Sequence, residues 1–193
     1  MVRGHALRMY GRGSLFMHVK AKTLAFGGLL LALSVVFMAL GSIIETSTLF
    51  LLAAASYFVG IVVREYGLRA GAAFYIAAVL LGLITAPNKF YVLTFAAMGF
   101  YIWGIEAVWR WLGKHPGIAG RRAVFWAAKY VVFNIVYIPI AVAFRDLLFA
   151  RAVTDAMMAA VLIGGQAALF IYDRAYEYVQ AHIWGKMRGR LME

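Results

Sequence analysis

Cysteine is absent from this chain of 193 residues, and charged residues are scarce. Without cysteine there is no disulfide framework, no thiol nucleophile and no cysteine metal site. Cysteine content therefore does not indicate whether the protein lies in an oxidising or a reducing compartment. Only 14% of the residues are charged and 65% are hydrophobic, whereas about 25% of a soluble domain is charged. The composition therefore predicts an integral membrane protein.

The sequence motifs of several enzyme classes are absent as well. No glycine-rich phosphate loop ending in Lys-Ser/Thr occurs, which indicates that the chain does not itself hydrolyse ATP. No Gly-x-Ser-x-Gly nucleophile elbow occurs either, and the four histidines lack the spacing of metal ligands. We therefore expect neither an enzyme nor a site for a metal or cofactor.

The formal net charge of +11 raises the question of nucleic acid binding. The cations, however, lie at the ends of apolar runs and not in a stripe beside stacking aromatic residues, so membrane topology explains them better and we expect no nucleic acid partner. Sixteen of the 19 Lys and Arg residues fall on one side of the membrane if the N-terminus is cytoplasmic. We therefore predict a multi-pass protein of the plasma membrane whose N- and C-termini are both cytoplasmic.

Six apolar runs predict six membrane-spanning helices in one bundle. Their predicted bounds are 21–44, 46–63, 70–86, 90–111, 123–144 and 155–172. Continuation of the sixth helix as an amphipathic basic tail through Trp184 and Arg190 stays open. The first run has 22 residues without a charge between Thr23 and Ile44, which matches a hydrocarbon layer of about 30 Å. We divide the chain into a cytoplasmic tail (1–20), a six-helix membrane domain (21–176) and a basic C-terminal tail (177–193).

A narrow stripe of small side chains runs along the first helix. The stripe contains Ala21, Ala25, Gly28, Ala32 and Ala39. Because lipid tails fill space as well as leucine does, such a stripe indicates that another helix lies against it. That helix belongs either to this chain or to a separate subunit, and the spacing alone does not decide between them.

Polar residues concentrate at the predicted outer ends of the helices. The predicted ligand-binding residues in these turns are Glu45, Asn88, Lys89, Tyr91, Arg145 and Asp155. Cations, carboxylates and amides above an apolar bundle suit a small polar or zwitterionic ligand. The alternative is that these are solvated loop residues that pair with one another.

Three further candidates lie deeper in the membrane: Asn134 and Tyr137 in the fifth helix and Gln166 in the sixth. A buried amide in hydrocarbon needs a partner, so Gln166 either joins two helices or forms the floor of a cavity. Glu106 and Arg110 lie one helical turn apart in the fourth helix. We interpret them as an ion pair, with a proton relay through Glu106 as the alternative.

The first helix opens with Ala-x-x-x-Ala at Ala21 and Ala25, within the run that continues as LAFGGLLLAL. With this opening motif, six predicted helices and cytoplasmic termini, the chain resembles the substrate-binding S-component of energy-coupling factor (ECF) transporters. The resemblance implies capture of a vitamin-like micronutrient at the outer face. It also implies docking through the first helix, at Ala21 and Ala25, on a membrane coupling subunit that two ATPase subunits drive.

Two other classes of function compete with an importer subunit. A scaffolding protein of an envelope or cell-shape assembly needs no ligand, and its outer polar residues would be ordinary loop residues. A proton-coupled carrier would use Glu106, and its transport would continue after ATP is depleted.

Overall fold

The computed structural model describes residues 21, 24–143 and 154–192, and every long element in this part of the chain is helical. The helices are α1 (Leu24–Gly41), α2 (Thr48–Tyr66), α3 (Leu68–Thr85), α4 (Lys89–Lys114), α5 (Arg121–Ala143), α6 (Asp155–Tyr178) and α7 (Gly185–Met192). A 3₁₀ turn, Glu45–Ser47, precedes α2. A π-helical segment, Val179–Trp184, joins α6 to α7. The predicted tail 1–20 lies outside the described residues.

Within the described residues, six helices are long and apolar enough to cross a membrane. They are α1 to α5 and the long helix that begins with α6. This confirms the predicted all-α architecture with six potential spans, as in a multi-pass membrane protein.

Helices α2 and α4 form the centre of the bundle. Leu52, Val59 and Val63 of α2 and Phe95 and Ile102 of α4 are fully enclosed. The other helices contact this pair, α3 lying against both members and α5 against α4. Most of the buried side chains therefore belong to two helices, and the outer helices are apolar on their exposed faces, as expected in lipid.

Helix α1 packs on α2 through one face only. The hydroxyl group of Ser34 lies 3.0 Å from the carbonyl oxygen of Leu30 and 3.4 Å from that of Ala55 in α2. Met38, which is fully buried, fits against Gly82 of α3, where a larger side chain would collide with its sulfur atom. Small residues on α2 and α3 thus let α1 approach closely, and no other described helix covers the opposite face of α1.

Two of the connecting turns follow from their sequences. Gly67 links α2 to α3 with φ of 93°, a conformation that favours glycine, and its N–H donates to the carbonyl of Val63. After Pro87, the side chain of Asn88 accepts a hydrogen bond from the backbone N–H of Phe90 at 3.0 Å and so caps α4. The predicted turn at Pro87 is therefore present, with α4 beginning at Lys89.

The sixth span is longer than the apolar run indicated. We predicted an end near Tyr172 and left open a continuation as an amphipathic tail. In the structure α6 continues to Tyr178 and the chain remains helical through the π segment and α7. Trp184 anchors this extension, since its indole N–H donates to Oε1 of Glu65 at 2.9 Å and its ring lies 5.4 Å from that of Phe26. The start of the predicted tail is thus attached to the ends of α1 and α2.

Candidate functional site

Helices α2, α4 and α6 end, and α3 and α5 begin, at one end of the bundle. We call it the basic end because a group of cations lies there. The group comprises Arg64, Arg69, Arg110, Lys114, Arg121, Arg122 and Arg174. Two buried clusters of charged side chains lie inside the bundle just below this surface, and together they are the most unusual feature of a membrane-embedded core.

The first cluster surrounds Glu106 of α4, a residue that is 4% exposed. Arg64 of α2 reaches its Oε1 atom through Nε at 2.7 Å and Nη2 at 2.6 Å. The hydroxyl group of Tyr176 in α6 donates to the same oxygen at 2.6 Å. Glu106 therefore joins three helices, and its charge is compensated by a guanidinium group, as a carboxylate in a low-dielectric environment requires.

The second cluster surrounds Lys129 of α5, which is 2% exposed. Its ammonium group lies 2.7 Å from Oδ2 of Asp173 and 2.6 Å from Oε1 of Glu177, both in α6. It also faces the rings of Phe125 at 4.6 Å and Trp126 at 4.8 Å. Two carboxylates and two aromatic rings thus replace the water that a buried ammonium group loses.

Asp173 extends the second cluster to the central helices. Its Oδ1 atom accepts a hydrogen bond from the hydroxyl group of Tyr101 in α4 at 2.9 Å. The ring of Tyr101 lies 5.8 Å from that of Tyr172, whose hydroxyl group is 2.7 Å from Oγ of Ser56 in α2. The hydroxyl groups of the buried tyrosines are therefore hydrogen-bonded, and α2, α4, α5 and α6 are joined through polar contacts.

The predicted ion pair between Glu106 and Arg110 is wrong, because each of the two residues has a different partner in the structure. Arg110 instead donates through Nη2 to the carbonyl of Val63 at 2.5 Å, in the last turn of α2. The carbonyl group of Val63, which also accepts from the N–H of Gly67, lies at the negative end of the helix dipole and attracts a cation. The carboxylate of Glu106 is bound by Arg64, which is 42 residues away in the sequence.

A partly open cavity of about 150 Å³ lies between the two clusters. Its walls combine charged and apolar side chains from α2, α4, α5 and α6. They are Arg64, Ile105, Glu106, Trp109, Phe125, Lys129, Tyr176 and Glu177. A cavity of this volume with charged groups in its wall has room for several water molecules, each of which takes about 30 Å³.

At the opposite end of the bundle, the structure gives two of the predicted ligand residues a local role. The ammonium group of Lys89 lies 2.5 Å from the carbonyl oxygen of Leu83 and 2.8 Å from that of Ala86, so it caps α3. Asn88 caps α4. Tyr91 is half-buried against the core. Arg145 lies outside the described residues, and of the predicted residues Glu45 and Asp155 only the backbone is described.

The deeper predicted residues are brought together between α5 and α6. Nε2 of Gln166 donates to Oδ1 of Asn134 at 2.8 Å, and Nδ2 of Asn134 lies 3.3 Å from Oε1 of Gln166. The hydroxyl group of Tyr137 donates to the carbonyl of Val161 at 2.7 Å, its ring seated on Gly165. Of the two roles expected for Gln166, the contacts correspond to the joining of two helices.

The small-residue stripe of α1 is uncovered by the described residues. Ala21, Ala25, Gly28 and Ala32 are all exposed, and no neighbouring atom lies within 4 Å of the position that a Cβ at Gly28 would occupy. Ala39, at the far end of the stripe, is half-buried. Of the two partners left open for the stripe, a helix of this chain is not found within residues 24–143 and 154–192.

The two clusters at the basic end include functional candidates that the sequence reasoning missed. Lys129 is one of the sixteen cations that we assigned to one side of the membrane, and we gave Asp173 no functional role. The available signal was that Lys129 interrupts the apolar run 123–144, because a charge inside a membrane span needs an intramolecular partner. The same reasoning applied to Asp173 would have paired α5 with α6.

Comparison of the chain with protein-family models, curated proteins and solved structures finds no match.

Proposed function

We propose that this protein is the substrate-binding membrane subunit of an ECF-type importer in the plasma membrane. In this proposal it captures a small, vitamin-like polar molecule at the outer face. It then docks through α1 on a membrane coupling subunit that two separate ATPase subunits drive. The basic end of the bundle faces the cytoplasm, as the positive-inside rule favours, and the N- and C-termini lie on that side.

The single observation that carries this proposal is the exposed stripe on α1. Van der Waals contact, and not hydrophobicity, holds helices together in a membrane, so a stripe without side-chain bulk has a use only where another helix lies against it. Ala21, Ala25, Gly28 and Ala32 have no such helix among the described residues. A helix of a separate subunit is the partner that this surface fits.

Two further features are consistent with this role: the lack of an ATP-binding loop and the ion pairs that join the helices at the basic end. No ATP-binding loop occurs in the sequence, so an ATP-driven importer would need other subunits for hydrolysis. The buried ion pairs hold α2, α4, α5 and α6 together at the basic end, so that end can move as one body when α1 follows its partner. Asn134, Tyr137 and Gln166 lie on the outer side of these clusters, where we place the ligand contacts.

A proton-coupled carrier is the second candidate, and the cavity beside Glu106 favours it. Charged residues inside a membrane protein commonly belong to an ion or proton pathway, and here they line a space large enough for water. Uptake that persists after ATP depletion and collapses with the proton gradient would replace the importer proposal with this one.

Co-purification from the native membrane tests the proposal. We expect gentle detergent extraction of the tagged protein to recover a membrane subunit and two ATPases in constant ratio. We also expect mass spectrometry of the denatured complex to detect a small polar molecule. Recovery of the protein in an empty complex with envelope-assembly proteins would contradict the importer function and favour a scaffold.

A further inference from the structure

We propose that the cavity at the basic end is a binding site for a small zwitterion of about the size of L-alanine. This site is separate from the outer-face ligand contacts of the proposed importer. The proposal rests on the hydrogen bonds, charge balance, volume and wall composition of the cavity, and each of these restricts the ligand in a different way.

The hydrogen bonds of Glu106 leave one of its oxygen atoms free. All three donors, two from Arg64 and one from Tyr176, meet at Oε1, and no donor among the described residues reaches Oε2. Oε2 is not sealed into the protein either. Among the described residues, the one enclosed side-chain polar atom without a hydrogen-bond partner is Oε1 of Gln180. The cavity wall therefore presents a carboxylate oxygen that is open to an additional donor.

The other carboxylates near the cavity have no such free oxygen. Asp173 accepts from Tyr101 on one oxygen and from Lys129 on the other. Glu177 accepts from Lys129 on Oε1 and from Arg174 on Oε2. An incoming ammonium group would therefore bind at Glu106. An incoming carboxylate has Arg64 beside it, since only Nε and Nη2 of that guanidinium group are engaged and the side chain is 40% exposed.

The charge balance excludes a ligand that carries one net charge. Arg64 balances Glu106 on one wall, and Lys129 balances Glu177 on the other. Outside the cavity, the opposite charges of Asp173 and Arg174 balance as well. A ligand with one net charge would find no unbalanced counter-charge in this partly open cavity and would lose part of its hydration there. A zwitterion brings one charge of each sign and keeps the balance.

The size of the cavity suits a ligand of about six non-hydrogen atoms. A space of about 150 Å³ is the volume that accommodates benzene, whereas drug-sized ligands occupy about 300–1,000 Å³. L-Alanine has benzene's number of heavy atoms. An apolar wall for the methyl group of L-alanine is formed by Ile105 and by the rings of Trp109 and Phe125. The centroids of the two rings are 5.1 Å apart.

Isothermal titration calorimetry of the full-length protein in detergent tests this site. We expect saturable binding of L-alanine and at least tenfold weaker binding of acetate and of ethylammonium, each of which carries one of its two charges. Glu106→Gln should weaken L-alanine binding at least tenfold. Phe125→Trp, which fills the space and keeps every charge, should do the same.

Glu65→Gln is the matched control. Glu65 is also a buried carboxylate near the end of α2 and is bound by Trp184 and Arg188, but it does not line the cavity. L-Alanine should bind this variant with wild-type affinity. If Glu106→Gln does not fold, Phe125→Trp decides the question. Absence of a saturable heat, equal binding of the three compounds, or wild-type affinity in Phe125→Trp overturns the proposal. None of these results affects the importer proposal, which is tested by the subunits that co-purify.

Discussion

Gly60 of α2 lies directly beneath the ring of Tyr176 in α6. A Cβ atom at this position would approach the ring and hydroxyl group of Tyr176 more closely than non-bonded atoms can. The missing side chain lets the tyrosine cross to α4 and donate its hydrogen bond to Glu106. The absence of a side chain at position 60 thus permits the hydrogen bond between Tyr176 and Glu106.

Gly60→Ala should therefore destabilise the protein. The added methyl group displaces Tyr176 and removes one donor from a buried carboxylate, and such overpacking costs about 1–3 kcal/mol. The free energy of unfolding can be measured from circular dichroism during titration of mixed micelles with SDS. Gly164→Ala is the control, since nothing lies within 4 Å of its Cβ position and stability should stay unchanged or rise slightly. Equal effects of the two substitutions would show that Tyr176 is not held by this contact.

Lys129→Met should be among the most destabilising single substitutions in the chain. It leaves Asp173, which is 1% exposed, without its counter-charge, and breaking a buried ion pair from one side costs about 3–5 kcal/mol. Arg174→Gln removes the neighbouring cation, but its pair with Glu177 is largely exposed and should contribute less than about 1 kcal/mol. The same SDS titration compares the two. A larger loss in Arg174→Gln would contradict the burial of the Lys129 cluster.

The Asn134–Gln166 pair should have a modest interaction energy. Hydrogen bonds between membrane helices contribute about 0.6 kcal/mol on average and rarely more than about 2 kcal/mol. In a double-mutant cycle of Asn134→Leu and Gln166→Leu, the double variant should therefore lose less stability than the sum of the single variants. Strict additivity would mean that the two amides do not bind each other in the membrane.

Ala25→Trp should abolish uptake while the subunit still folds and retains its ligand. A large ring on the stripe of α1 separates the two helices that the proposed docking brings into contact. Ile163→Trp places the same ring on the lipid-exposed face of α6, at a residue that is 71% exposed, and should transport normally. Whole-cell uptake and co-purified ATPases are the measurements. Wild-type uptake by Ala25→Trp would rule out this face as the docking surface.

The helices could be predicted from the sequence because each one is specified locally. Composition and run length locate six spans, and Pro87 with Asn88 marks the beginning of α4 to within a residue. The end of α6 was placed near Tyr172 because hydropathy falls there, and the amphipathic continuation was left open. What continues the helix there is the attachment of Trp184 to Glu65 of α2, a tertiary contact that a run of apolar residues does not encode.

The charged clusters could not be predicted from local spacing for the same reason. A rule based on residues one turn apart pairs Glu106 with Arg110. In the fold, the end of α2 offers Arg110 a carbonyl group and offers Glu106 a guanidinium group. Partner choice depends on which helices lie side by side. Local patterns in the sequence indicate how many helices there are but not how they are arranged. Asn134 and Gln166 were identified because an amide in hydrocarbon needs a partner wherever its helix lies.

The π segment between α6 and α7 sets the direction in which the end of the chain faces. A π turn closes one residue later than an α turn, so the residues that follow are rotated by roughly 100° from the positions of an uninterrupted α-helix. With this offset, Trp184 and Arg188, four residues apart, both reach the single carboxylate of Glu65. Removing one residue from Val179–Trp184 would turn both side chains away from α2, and the final helix would lose its hold on the bundle although its composition was unchanged.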